Sequence, residues 1–497
     1  MIGLDVFLTS RCISMVMAKC QKIRKPLEIL EKSDVDKIHE TAVKILREVG
    51  VKMDHAEALK LFKTNGCEVD ETKKTVKIPE DLIKEQLKHV PKKFDVYTRG
   101  LERMEVGTDR FYMLSPSDNA YILDMNTQRR RPATIEDCRQ MARLVDALEF
   151  YHICCTPVLP QELPSQLRGL TASVETLKNM NKHYLPEPVT SMEVKYLIEM
   201  GEAVAGGTDE LSKKPVISCV VCPTSPLQFP DTSLAVIWGF ANKGLPSVIS
   251  SGPLVGLGAP ITMAGALAIQ TAENLSGITL AQLIRKGLPV MYGGSALPFD
   301  MSVGNLAHGA VEFSLFSLAE AQMGRYYGVP PYGAGNCTNS KLDDAQAGYE
   351  KMATTLLSYY SGINLAVEVS LDNHSLFAPE DLILHNEIVG IVLRTGRAFD
   401  VNDETLAFDL IKKVGIGGDY LAEKHTRMNM RRDYWYPPMT DRTSYETWLT
   451  KGAKDFKTRA LERAKQLIAE YKPEPLDADV SKNLDEILEK ARKETGT

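Results

Sequence analysis

The sequence has no run of about 18 uncharged apolar residues, the length a helix needs to cross a bilayer. It has no surplus of positive charge: 59 Lys and Arg stand against 65 Asp and Glu, a formal net charge of -6. That balance gives no reason to expect nucleic acid or an anionic membrane as partner. Cysteine is sparse and odd in number, nine in 497 residues. A disulfide framework is therefore not expected, and free thiols in a reducing cytoplasm are. Asp5 and Arg11 interrupt the apolar N-terminus, so a signal peptide is not expected either. No His-Glu-x-x-His, P-loop or Gly-x-Ser-x-Gly motif occurs, and the nine His are spread singly. No metal is expected on those grounds.

What is present is ordinary for a globular chain: 44% hydrophobic and 25% charged residues. The length allows two or three domains, or one barrel-sized domain with additions. Met15 and Met17 leave the start undecided, so residues 1–26 are set apart as an extension. Residues 27–105 read as a small helical region. Asp34 precedes Val35, Ile38, Ala42, Ile45, Leu46 and Val49 at helical spacing, and Gly50 ends the run. Further helices are expected at Ala56–Thr64 and Glu80–His89.

From about residue 106 short apolar segments alternate with long helical ones. The expected strands are Phe111–Leu114, His152–Thr156, His183–Pro186, Val216–Val221, Ser247–Ser251, Pro289–Gly293, Pro330–Gly333 and Leu365–Val369. Lys243-Gly-Leu-Pro, Lys286-Gly-Leu-Pro and Gly328-Val-Pro each lead into a strand. Each reads as a helix end, a Gly cap and a Pro stop, spaced by roughly one βα unit. Eight units over residues 106–400 predict an α/β fold, a (β/α)8 barrel of the TIM type. An open doubly wound sheet is the competitor; it is disfavoured because no glycine-rich dinucleotide fingerprint follows the first strand. Residues 401–497 read as a C-terminal helical segment ending in a charged tail, a solvated helix or a frayed end.

A barrel places its site at the C-terminal ends of the strands. Those ends offer Ser117, Asp118, Asn119, Thr156, Glu187, Thr224, Ser251, Gly252, Gly294, Ser295, Gly335, Asn336, Thr338, Glu368, Ser370 and Asp372. Cys219-Val-Val-Cys222 has redox or metal spacing, but i and i+3 on a strand point to opposite faces. Both are expected to be core cysteines. The segment Gly333-Ala-Gly-Asn-Cys-Thr-Asn-Ser ends a strand with two glycines that permit close backbone approach to a ligand. His374 follows the last strand.

The run from Gly333 through Lys341-Leu-Asp-Asp-Ala-Gln-Ala-Gly-Tyr-Glu resembles the trimethylamine methyltransferase family. So do Ser375-Leu-Phe-Ala-Pro-Glu-Asp-Leu-Ile-Leu-His-Asn-Glu-Ile-Val-Gly, His425-Thr, Tyr434-Trp-Tyr-Pro and Asp441-Arg-x-x-Tyr-Glu-x-Trp. The likeness spans roughly residues 27–455. It implies a (β/α)8 barrel that passes an N-methyl group to the cobalt of a corrinoid carried by a separate protein, this chain binding no cofactor tightly. The archaeal trimethylamine enzymes carry pyrrolysine, expected near the Gly333–Lys341 loop; all 497 residues here are standard. The chain thus resembles the non-pyrrolysine branch, which demethylates quaternary amines such as glycine betaine, carnitine or proline betaine.

A quaternary ammonium already carries a neutral leaving group, so attack by Co(I) needs no acid. It wants aromatic faces, worth about 0.5–2 kcal/mol each, and a carboxylate. Phe229, Tyr292, Phe299, Tyr332 and Phe377 are the candidate aromatics, Glu187 and Glu368 the candidate carboxylates. Gly335 and Asn336 would line the site. Asn336 and Glu368 are the candidates to orient the methyl. A substrate carboxylate would want Arg, His or N–H groups, with His374 and Asn336 as candidates. The alternatives are a trimethylamine-specific enzyme and a non-catalytic barrel that binds betaine or the corrinoid partner. Barrels of this kind often pair, which leaves room for a homo-oligomer.

Overall fold

The computed structural model describes residues 25–294 and 296–496. Residues 1–24, most of the expected extension, and Ser295 lie outside them. Eight strands run in one direction: β1 Tyr112–Leu114, β2 Ile153–Cys154, β3 His183–Tyr184, β4 Cys219–Val221, β5 Ser247–Ser251, β6 Val290–Gly294, β7 Tyr332–Cys337 and β8 Leu365–Val369. Each is followed by one major helix: α1 Ile135–Ala147, α2 Ser165–Asn179, α3 Ser191–Ala205, α4 Asp231–Lys243, α5 Met263–Ile284, α6 Val311–Tyr327, α7 Ala345–Ser361 and α8 Pro379–Arg397. Neighbouring strands pair in parallel in the order β3-β2-β1-β8-β7 and β4-β5-β6. Single parallel bridges, Tyr184–Ile217 and Tyr292–Pro331, link the two sets at both ends. Ile217 and Pro331 lie just before β4 and β7 in the chain.

Local chemistry sets the helix limits. Thr134 and Asp137 form a reciprocal capping box at the start of α1. Thr190 caps α3 and Asp344 caps α7 through their side-chain oxygens. Gly244 and Gly328 end α4 and α6 at φ 72° and 68°, the left-handed conformation a following strand requires and a side chain resists. The sequence repeat is thus a repeat of helix stops.

Side chains from alternate strand positions pack together on the face that the two sheets share. Tyr112, Leu114, Ile153, Cys155, Leu185, Val220, Val248, Met291, Tyr332 and Leu365 form one buried cluster. The antiparallel hairpin of Phe94–Tyr97 and Arg103–Val106 adds Val96, Met104 and Val106 to it and closes the N-terminal end of the strands. The opposite end stays open, rimmed by the short strands Tyr121–Leu123, Arg130–Pro132 and Leu376–Phe377 and by Leu254–Val255, Leu297–Asp300 and Asn305–Leu306.

Two regions differ from expectation. Residues 27–105 hold the three expected helices, Lys32–Glu48, Ala56–Thr64 and Glu80–Leu87, but also strands. Val51–Met53, Thr75–Lys77 and Glu68–Asp70 form a small sheet, extended in parallel by Gln228–Phe229. The charged run Asp70-Glu-Thr-Lys-Lys between the second and third helices is the tip of the hairpin that joins Glu68–Asp70 to Thr75–Lys77. The charged tail is not a frayed end: helix Ala478–Thr495 docks on α2 and α3, burying Leu484, Ile487, Leu488 and Ala491.

Gly294 ends β6 at φ 126°, and a Cβ there would sit 1.8 Å from the Ser251 carbonyl oxygen. Gly294→Ala is expected to lower stability by on the order of 2–3 kcal/mol, read by urea unfolding. An unchanged midpoint would show that the β5–β6 pair yields where the geometry says it cannot.

Candidate active site

A cavity of about 420 Å³ opens at the C-terminal ends of the strands. Val220, Tyr332, Ala334, Val367 and Val369 supply apolar wall from the strands, and Phe313, Leu297 and Leu306 from the rim. The polar groups are Ser117, Glu187, Cys222, Ser250, His308, Asn373 and His374. No Lys or Arg is among the described residues that line it. A second cavity of about 260 Å³, bordered by Arg168 and Glu193, adjoins the first and shares Glu187 with it.

Ser117 stands at the centre of the polar wall. Its Oγ lies 3.3 Å from Glu187 Oε1 and 3.1 Å from His374 Nε2. His308 Nδ1 lies 3.3 Å from Asn373 Oδ1, which also accepts from Asn339 Nδ2. Burial, then the neighbouring His308, lowers the His374 pKa to about 4. Burial lowers His308 as well. Both imidazoles are neutral near pH 7. Burial raises Glu187, and raises Asp118 well above the carboxylate range with Glu187 and Glu193 adding to it. Cys222, exposed to the cavity, is pushed up to about 12 by the protein packed around it and by Glu187, so it stays a thiol. A nearly uncharged cavity with the Glu187 carboxylate on its wall is built to receive a cation.

The backbone around it is strained. Asp118, Asn336, Asp372, Asn373 and His374 all have φ between 52° and 71°. Non-glycine residues in this region cost about 1 kcal/mol or more each and gather at functional sites. Ser340 O accepts from Asp372 N at 2.8 Å, and Ser375 Oγ donates to Asp372 Oδ2 at 2.7 Å, fixing the loop that aims His374.

The expected site residues fall into two groups. Glu187, Tyr332 and His374 line the cavity together. Phe229, Tyr292 and Phe377 do not; each belongs to the large buried cluster that includes the helices. Tyr292 Oη pairs with Thr271 Oγ1 at 2.9 Å, and Phe229 packs at the position of Gly277. Phe299 sits in a rim strand opposite Leu306; Leu306 lines the cavity and Phe299 is not among the residues that line it. Gly335 faces α7 at Thr355 and Ser358. Asn336 is turned the same way: Thr355 Oγ1 donates to its Oδ1 at 2.6 Å and accepts from its backbone N–H at 2.9 Å. Cys219 is a core cysteine as expected, whereas Cys222 faces the cavity. Sequence reasoning missed Phe313, packed edge-on against His308 at 5.5 Å, and Asn373; neither lies at a strand end.

Glu368 is part of the cavity wall, but its carboxylate is turned outward. It accepts from Tyr151 Oη and contacts His385 Nδ1. His385 Nε2 lies 3.0 Å from Asp381 Oδ1, and Lys351 Nζ donates to Asp381 Oδ2 at 2.6 Å and touches His385. Glu368, Asp381 and His385 hold donor atoms within 4.8 Å of one another, and the cation among them is the Lys351 ammonium. All these side chains are buried. The cluster ties β8 to α7 and α8 directly behind the cavity wall.

The family model described as "Trimethylamine methyltransferase (MTTB)" matches residues 9–496. The chain is 32% identical over 472 residues to the glycine betaine methyltransferase of Desulfitobacterium hafniense, covering 94% of this chain and 98% of that one. It is 33% identical over 483 residues to the trimethylamine methyltransferase MttB of Methanosarcina barkeri, covering 94% and 96%. Among solved structures, the monomethylamine methyltransferase MtmB of Methanosarcina barkeri matches with a TM-score of 0.52 at 11% identity, covering 93% of this chain and 92% of that one. No helix among the described residues is long and apolar enough to cross a membrane.

Two predictions follow from the ionisation pattern. Free imidazole takes a proton near pH 6.5 and folded His374 only near pH 4. Between these values the unfolded chain binds more protons, so stability falls as pH drops below about 6.5. His374→Gln is expected to make that fall shallower in denaturant titrations at pH 5 against pH 7; an identical slope would place a charged imidazole there. Lys351→Met leaves buried acids without their cation and is expected to cost about 3–5 kcal/mol of unfolding free energy. A variant as stable as the parent would show the cluster to be already neutral.

Proposed function

The chain belongs to the trimethylamine methyltransferase family, and from that premise we propose that it moves a methyl group from a betaine-type quaternary amine to Co(I) of a corrinoid on a partner protein. The C–N bond breaks with its electron pair staying on nitrogen, which leaves as a neutral tertiary amine. The cobalt lone pair forms the new bond to carbon. No proton changes hands, and the neutral imidazoles and thiol of the cavity ask for none.

The observation that carries this reading is a cavity holding Glu187 beside Tyr332 and Phe313 with no basic side chain on its wall. We read the eight parallel strands as a (β/α)8 barrel with this cavity in its mouth. Its volume suits a small amine, the corrin remaining outside on the partner. Glu187 balances the ammonium, and the Tyr332 and Phe313 faces contact the methyl groups. His308, Asn373 and His374 are the neutral donors available to a substrate carboxylate. Free thiols and a Co(I) acceptor suit a reducing cytoplasm.

The trimethylamine and glycine betaine relatives stand at similar identity, so substrate choice is decided by the cavity. The test is methyl transfer to free cob(I)alamin, followed by the visible spectrum. The panel is glycine betaine, carnitine, γ-butyrobetaine, proline betaine, choline and trimethylamine. Turnover of a quaternary amine is the expected result. Glu187→Gln is expected to reduce kcat/KM for it about 10- to 100-fold, roughly 1.4–2.8 kcal/mol, with little change in Tm. Activity with trimethylamine alone would overturn the quaternary-amine reading. Ligand binding without turnover, with the corrinoid protein present, would make the barrel a binding module.

A further inference from the structure

The second cavity, of about 260 Å³, takes no part in the proposed methyl transfer, although Glu187 belongs to its wall and to that of the first. Among the described residues the Glu187 carboxylate accepts one hydrogen bond, the 3.3 Å one from Ser117 Oγ. One loosely held side chain thus stands on the boundary between the two spaces.

The two cavities differ in charge. The first has no basic group on its wall, and the second has Arg168, near the start of α2. Its Nε donates to Leu163 O at 2.9 Å and its Nη2 to Gln161 O at 3.4 Å, which fixes the guanidinium on the loop before the helix. Among the described residues it makes no ion pair, and its Nη1 makes no hydrogen bond. Ser165, the first residue of α2, lies on the same wall. The N-cap is Pro164, which offers no side-chain acceptor, so the positive end of α2 is left uncompensated.

Three acids share this wall, and none is spent on Arg168. Glu193 Oε2 accepts from Val189 N at 2.7 Å, at the start of α3. Burial raises Glu193 and Glu187, and it raises Asp118 well above the carboxylate range. As a neutral acid Asp118 donates a hydrogen bond instead of repelling an anion. A guanidinium with a free edge, an uncapped helix start and a neutral acid are all satisfied by a carboxylate. The donors of the first cavity, His308, Asn373 and His374, have no charge to offer one. A zwitterion with its charges held apart by a carbon chain suits the two spaces together. Glycine betaine, with one carbon between its charges, is too short to put one in each.

We propose that the second cavity is a carboxylate subsite, in which Arg168 receives the acid end of a quaternary amine whose ammonium lies beside Glu187, so that the chain selects betaines with a spacer of three or more carbons. This rests on the quaternary-amine reading and narrows it. Arg168 meets no reacting atom; it determines specificity and, through the carbon chain, positions the methyl group.

The test pairs γ-butyrobetaine with butyltrimethylammonium, which has the same ammonium and chain length without the acid. Calorimetric titration of the full chain with each comes first, without any methyl acceptor. γ-Butyrobetaine is expected to bind at least tenfold more tightly than butyltrimethylammonium or glycine betaine. Arg168→Gln is expected to remove that advantage and Arg168→Lys to keep part of it. Because Arg168 also holds the loop at Gln161 and Leu163, a second variant leaves it in place. Ser165→Asp puts an acid where it suits the helix and repels the carboxylate, and it is expected to lose the advantage with Tm unchanged or raised. Methyl transfer to cob(I)alamin then repeats the comparison as kcat/KM. Equal affinities in the parent chain, tighter binding of glycine betaine, or variants that weaken both ligands alike would overturn the subsite. Tight binding of γ-butyrobetaine without turnover, with the corrinoid protein present, would leave the subsite standing and overturn the methyl-transfer reading instead.

Discussion

The two-residue alternation of eight short parallel strands governs this molecule. One set of side chains must pack on the face the strands share and the other must pack on the helices, with no third place to go. The inner set is apolar at the closed end and saturates the space: a Cβ on Gly293 would meet Tyr332 and Val248 at 2.7 and 2.9 Å. Toward the open end the inner side chains shorten or turn polar, and the cavity is what they leave. The same alternation puts Val367 and Val369 on the cavity and turns Glu368 between them to the helix layer. A carboxylate sent there must be partnered, and Tyr151, His385 and Lys351 are the answer.

Burial then decides the chemistry of the polar rim. His308 and His374 lose their charge, Cys222 keeps its proton, and Asp118 is driven toward the neutral acid. The left-handed turn at Asp372, Asn373 and His374 aims polar tips inward from a loop whose backbone is held by Ser340 and Ser375. Rigid supports behind strained residues keep the cavity shape independent of its contents.

The strand and helix order was legible in part because α4 and α6 end in the same chemistry, a glycine in the left-handed region with proline two residues on. Cavity residues were legible only where parity was consulted. Tyr292 and Tyr332 sit at similar places in their strands, yet Met291 takes the inner position in one and Tyr332 in the other. Counting outward from an apolar inner position would have sent Tyr292, Glu368 and Gly335 to the helix side. The bulge between Gly335 and Cys337 breaks that count and turns Asn336 toward Thr355, which no pattern announces. Phe313 and Asn373 come from helix start and loop, where spacing carries no address. The three-residue strands of the N-terminal sheet were too short to show a period. The docked tail was readable in principle, since Leu484, Ile487, Leu488 and Ala491 have helical spacing, but its many charges suggested solvent.

The proposed reaction makes one further demand: nothing in the cavity wall should rival the cobalt as a methyl acceptor. Cys222 is the group closest to that role, a sulfur facing the space where the ammonium would sit. As a thiolate it would be a soft nucleophile beside an activated methyl. The protein packed around it and the adjacent Glu187 push its pKa up to about 12 and hold it as the weakly nucleophilic thiol. The carboxylate that attracts the cation thus also silences the competing sulfur. Both effects depend on water staying out of the cavity, and the open mouth means that whatever delivers the acceptor must also complete the seal.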